Sequence, residues 1–312
     1  MTLLLALLLA SPVLSPSDSV RSLVSVARVP ERALLFAELA ARMEGGDAGV
    51  RLGSLLELAG EFGDAVRQYR LLLASGPTDD LRGWLRDRSR GSTPLDTMLV
   101  LRATVENTGK LPMRDLEVTM PLPRSHPPFQ MLAIGRTSMV RSGSVLRTEI
   151  DSLAAGESRR MTVMMHLQQI PGTFRPLPDS VGGVPLQGLL EAASAASQTD
   201  GSDGFGPCLS MARELRARLA GRLELGVVGG LVRRGDSLVF HAWNLVEEGP
   251  LAGMPVDPLL LGEDSLRGIG HCPTDLIPLW DLLDTGGSEL SVVCPASDPG
   301  IRLRMEAGFE PR

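Results

Sequence analysis

The 312-residue sequence has one lysine, Lys110, and no block of clustered basic residues; 37 Asp and Glu outnumber 31 Lys and Arg, for a formal net charge of −6. Nucleic acid is therefore excluded as a main partner, because phosphate binding needs concentrated positive charge. Aromatic residues make up only 4% of the chain, so its cores must be built from Leu, Val, Ala and Met. No segment offers the roughly 20 consecutive apolar residues that a membrane-spanning helix needs, which excludes an integral membrane segment. Four histidines and three cysteines show no metal-ligand spacing. No metal and no organic cofactor are implied.

What the sequence does contain is organised in blocks. Met1–Ala10 reads MTLLLALLLA and is followed by small residues including Ser11 and Ser15. Such an apolar run before small residues fits a secretory signal over residues 1–17, and thus an extracytoplasmic location, periplasmic or secreted. No cysteine directly follows the run, so a lipoprotein anchor is not expected. In an exported chain, Cys208, Cys272 and Cys294 read as one bonded pair and one free thiol.

Residues 18–90 have helical periodicity. Within them, Leu52, Gly53, Leu56, Gly60, Ala65, Tyr69, Leu72 and Pro77 resemble one tetratricopeptide repeat, a helical hairpin whose small residues allow close crossing. A single repeat buries its face poorly alone, which makes this segment a candidate surface for a protein partner. From residue 93 to 170 the period changes to two. Leu99, Leu101, Ala103 and Val105 alternate with Arg102, Thr104 and Glu106, and Leu116, Val118 and Met120 alternate likewise. Further strands are expected at 130–134, 144–150 and 159–167, giving an antiparallel sandwich. ENTGKLPMRDLEVTMPLP and the later LAAGES resemble the immunoglobulin-like sandwiches of bacterial exported proteins. A Pro/Gly-rich stretch at 170–185 reads as a linker, and residues 180–312 form the last unit.

That unit carries the chemistry. In GFGPCLSMARELRARLAG, Gly206 and Pro207 precede a helical pattern, and Cys208 falls in its first turn. Backbone N–H groups and the positive end of the helix dipole favour a thiolate there. The next segment reads as a hairpin turning at Arg234-Gly235-Asp236, with Val239, His241 and Trp243 on one face of its second strand. His241 can then act as proton acceptor, with Trp243 walling the site as a substrate-binding residue. Asp257, before Pro258, can fix the imidazole and stabilise its charged form. The competing reading of Asp257 is a turn cap. The backbone N–H of Cys208 is a natural oxyanion donor; Gln187 and Gln198 are the side-chain candidates.

The sequence GPCLSMARELRARL, then HAW, then PVDPLLLG resembles the bacterial transglutaminase-like superfamily: a Gly-x-Cys opening a helix, a His-Ala-Trp strand, and an Asp-Pro after the next strand. The resemblance implies a papain-like core, and overall a multidomain α+β chain of N-terminal helical hairpin, β-sandwich and C-terminal transglutaminase-like catalytic domain. It implies a thiol-dependent amide hydrolase or acyltransferase acting on a peptide or protein substrate through Cys208, His241 and Asp257. The alternative is a non-catalytic exported scaffold. AGRLELG replaces the Gly-Ile-Pro-Ala-Arg run common in relatives, and Gly253 and Met254 stand where a Trp often precedes the Asp. If Cys208 is the nucleophile, Cys272 and Cys294 are left to pair, and a disulfide between them contributes about 3 kcal/mol on the loop-entropy estimate.

Overall fold

The computed structural model describes residues 50, 53–54, 56–57, 60–174, 180–181, 183–196, 207–263, 268–282, 291–293 and 300–310. The signal-like segment at residues 1–17 and Cys294 lie outside them, as do Gln198 and the side chain of Gln187.

Helices α1 (Phe62–Ala74) and α2 (Asp79–Gly91) come first. Ala65, Tyr69 and Leu85 are fully buried between them, and Tyr69 meets Trp84 edge to face. The sandwich follows. Its strands are β1 (Leu95–Asn107), β2 (Met113–Pro121), β3 (Gln130–Thr137), β4 (Val140–Ser142), β5 (Val145–Leu153) and β6 (Ser158–Gln169). Short pairs β7 (Gly172–Thr173), β8 (Ser180–Val181) and β9 (Val184–Pro185) lead to helices α3 (Leu186–Ala196) and α4 (Pro207–Leu219). A long hairpin comes next, β10 (Leu225–Arg234) and β11 (Ser237–Val246), then β12 (Pro255–Val256) and helix α5 (Pro258–Glu263). The chain ends with β13 (His271–Cys272), β14 (Leu276–Asp281), β15 (Ser291–Val293) and β16 (Ile301–Phe309).

The two sandwich sheets run β16-β1-β6-β3 and β15-β2-β5-β4, and the third four-stranded sheet runs β12-β11-β10-β14. β1 buries Leu99, Leu101, Ala103 and Val105 on one face against Leu116, Val118 and Met120 of β2, and Val100 on its other face is buried as well. Each buried Leu, Val or Met side chain contributes roughly 1.5–3 kcal/mol.

The expected fold class does not hold. The described residues are mostly β, in several antiparallel sheets with five short helices, rather than an N-terminal helical hairpin, a sandwich and a papain-like core. Two strands from the segment assigned to that core belong to the sandwich instead. β16 pairs with β1 over nine residues, from Leu99↔Phe309 to Asn107↔Ile301, and β15 pairs with β2. The cause is an edge. Without β16, β1 would present a row of unpaired N–H and C=O groups beside a buried apolar face. β16 satisfies that row and turns Ile301, Leu303, Met305 and Ala307 toward the core.

Nor do the helices form a free-standing hairpin. Thr274 donates its hydroxyl to the carbonyls of Arg90 and Thr93 at 3.0 and 2.7 Å, and Arg90 donates to the Gly235 carbonyl at 2.8 Å. Buried Arg88 pairs with Glu57 at 3.1 Å, and Ser92 donates to the same carboxylate. The apolar core is continuous from the sandwich to Cys208, Leu209 and Ala212 of α4 and Ala242 of β11. Two glutamines reinforce that junction: Gln130 donates to the Pro278 carbonyl at 2.7 Å, and Gln169 to those of Pro273 and Leu276 at 3.1 and 2.8 Å.

Candidate active site

Helix α4 begins at Pro207, so Cys208 sits in its first turn, 6% exposed. The helix stays on the third sheet because Leu209, Ala212, Leu215 and Leu219 are buried at helical spacing. Asn244 adds a polar tie. Fully buried, it donates to the Ala212 carbonyl at 2.9 Å and to the Gly226 carbonyl at 3.2 Å, linking helix to strand. The signal available for this residue was a lone amide among the buried apolar positions of a strand.

His241 lies on β11 opposite Gly230. β12 reaches β11 only at Asn244 and Leu245, so among the described residues β11 is the edge strand at His241. Asp257 follows β12 directly. Its Oδ2 accepts a 2.6 Å hydrogen bond from His241 Nε2, with side-chain exposures of 1% and 4%. Its Oδ1 accepts the backbone N–H groups of Leu259 and Leu260 at 3.0 and 3.1 Å, the first turn of α5. Asp257 is thus a helix cap and an imidazole partner at once, and the cap fixes the carboxylate that holds the ring. Cys208 hydrogen-bonds the same imidazole. With Nε2 engaged by Asp257, the remaining ring nitrogen for the thiol is Nδ1.

The electrostatics follow from burial and contact. Burial works to lower the basicity of His241, but the charge and hydrogen bond of Asp257, with a smaller contribution from Cys208, raise its pKa from 6.5 to about 10. Trp243 is 1% exposed and stacks on His241, centroids 5.6 Å apart and planes 26° apart. It fits only because Gly230 has no side chain: a Cβ there would strike the Ile277 carbonyl and the Trp243 ring. The three residues read from the sequence as a catalytic set are brought together, with Trp243 against the ring.

The chain matches no family model, no curated protein and no solved structure.

Other expected residues lie apart from this cluster. Cys272 is half-buried on β13, and burial pushes its thiol well above its ordinary range; its expected disulfide partner, Cys294, is outside the described residues. Among the described residues, no group of three or more His, Cys, Asp or Glu is arranged to hold a metal. No helix there is long and apolar enough to cross a membrane.

Proposed function

We propose that the protein is a thiol-dependent amide hydrolase or acyltransferase acting on peptides or proteins. The observation that carries this is the buried chain of contacts from Cys208 to His241 to Asp257, with a 2.6 Å bond at its carboxylate end. The helix-start cysteine, the HAW strand and the DP turn, which resemble those of transglutaminase-like enzymes, support it further.

An imidazole whose proton is held by a buried carboxylate draws a proton from an adjacent thiol. The Cys208 sulfur then attacks the amide carbon, and the carbon–nitrogen bond breaks as His241 returns the proton to the departing amine. The acyl group remains on sulfur as a thioester. Water, giving its proton to His241, attacks the thioester carbon, and the proton passes to the Cys208 sulfur as acid is released. An amine in place of water gives transfer instead. The backbone N–H of Cys208, in the first helical turn, is the candidate donor to the developing oxyanion.

Peptide-library cleavage, with an added small amine to report transfer, tests this on the full chain. Cleavage or amide exchange lost in Cys208→Ala supports it; no turnover in the native chain, or turnover unchanged in Cys208→Ala, rejects it.

A further inference from the structure

Arg70 of α1, Arg90 of α2 and Arg233 of β10 line one cleft of about 260 Å³, where the helices, the start of β1 and the β10–β11 hairpin come together. Residues so far apart in the sequence make no basic block, and the fold alone assembles them. Two of the guanidinium groups are held at one point: Arg90 Nη1 and Arg233 Nε both donate to the Gly235 carbonyl, at 2.8 and 3.3 Å. Phe309 backs the second, its ring centre 5.3 Å from the Arg233 guanidinium carbon.

Like charges gathered this closely repel, and the usual reasons for gathering them do not apply. Basic side chains often cap the last carbonyls of a helix, and α2 ends at this cleft. Those carbonyls are already taken. The Arg88 and Arg90 carbonyls accept the backbone N–H groups of Ser92 and Thr93 at 3.1 Å, the Ser89 carbonyl accepts the Thr93 hydroxyl at 2.7 Å, and the Gly91 carbonyl accepts the Thr274 N–H at 2.8 Å. Nor do carboxylates balance the charge. Among the described residues, no ion pair joins Arg70 or Arg233 to a carboxylate. Arg90 meets Asp87 and Asp236 only at 3.5 Å, and the Asp236 side chain is 94% exposed. Asp275 is the single acidic residue of the lining, so three cations face one anion. The excess of two positive charges matches a dianion. Guanidinium N–H groups form a fork that grips the oxygens of a phosphoryl group.

We infer that this cleft binds a phosphate dianion, free or as a phosphate monoester, through Arg70, Arg90 and Arg233. Cys208, His241 and Asp257 are not among its lining residues, and the site is independent of the thiol-hydrolase proposal.

The test titrates inorganic phosphate, phenyl phosphate and acetate into the full chain by calorimetry, at pH 8, where phosphate is a dianion, and at constant ionic strength. Phosphate binds about tenfold more tightly than acetate, and Arg233→Gln or Arg70→Gln weakens it about tenfold, the loss of one charge-assisted contact. Arg141→Gln, which removes an exposed arginine on β4, leaves it unchanged. Phenyl phosphate that displaces phosphate assigns the site to monoesters; phosphate that it does not displace assigns the site to the free ion. Absence of phosphate binding, equal affinity for acetate, affinity unchanged in Arg233→Gln and Arg70→Gln, or equal weakening in Arg141→Gln overturns the site. If Arg233→Gln does not fold, Arg70→Gln, at an exposed position, decides. Cys208→Ala binds phosphate as the native chain does, so failed cleavage with retained phosphate binding rejects the hydrolase proposal alone.

Discussion

Asp257→Asn changes one atom type and tests how the imidazole is held. Oδ1 of Asp257 is fixed by two backbone N–H groups, so the asparagine carbonyl takes that place. Its amide then points N–H at His241 Nε2, where the native carboxylate accepts at 2.6 Å. The ring is forced into the Nδ1–H tautomer, with its proton on the side of Cys208. Burial, no longer opposed by Asp257, takes the ring pKa from about 10 to below 6.5. Removing one partner of a buried pair costs about 3–5 kcal/mol. The pH dependence has a definite sign. A raised histidine pKa contributes stability in full below 6.5, which is lost as pH rises through about 10. The variant is therefore least stable relative to native at pH 6, and the gap narrows toward pH 10. Urea unfolding across this range measures the gap, and histidine NMR titration measures the ring. Turnover falls on the order of 10⁴-fold, from the wrong tautomer. A ring still protonated at pH 8 in Asp257→Asn, or a stability gap independent of pH, refutes the reasoning.

Three other changes have definite outcomes. Asn244→Leu removes the buried tie between α4 and β10 and lowers stability by about 2–4 kcal/mol in urea unfolding, since two carbonyls lose their donor. Gly230→Ala drives a methyl into the Ile277 carbonyl and the Trp243 ring and costs about 1–3 kcal/mol, with loss of the near-ultraviolet signal of the stacked tryptophan. Ending the chain before residue 300 removes β16 and exposes the β1 edge. Such a chain is digested by protease throughout the sandwich, whereas an independent sandwich would resist.

The sequence made the local features legible because their causes are local. Alternation from Leu101 to Val105 marks a strand with one buried face, and Pro207 marks a helix start. The motifs around Cys208, His241 and Asp257 gave candidate residues because each sits at the end or edge of its own element. The architecture was not legible to the same degree. Ile301, Leu303, Met305 and Ala307 alternate clearly with Arg302, Arg304 and Glu306, but alternation says which face is buried, not against which strand. β16 pairs with a strand about two hundred residues away, and nothing local encodes that partner. The papain-like expectation failed for this reason: three short motifs specify a cluster of side chains without specifying the sheet that carries them. Gln130 and Gln169 carry no such signal, because polar residues at strand ends ordinarily face solvent. Here both are buried, and their amides join two units.

The central claim is that His241 activates Cys208. Its most direct measurement is the alkylation rate of Cys208 by a small thiol reagent across pH 5–10, followed by peptide mass spectrometry that separates Cys208 from Cys272, in the native chain and in His241→Gln. Cys208 is predicted to react at neutral pH faster than an ordinary free thiol and far faster than Cys272, and His241→Gln to abolish that advantage. A Cys208 rate no faster than a free thiol, or unchanged in His241→Gln, contradicts it.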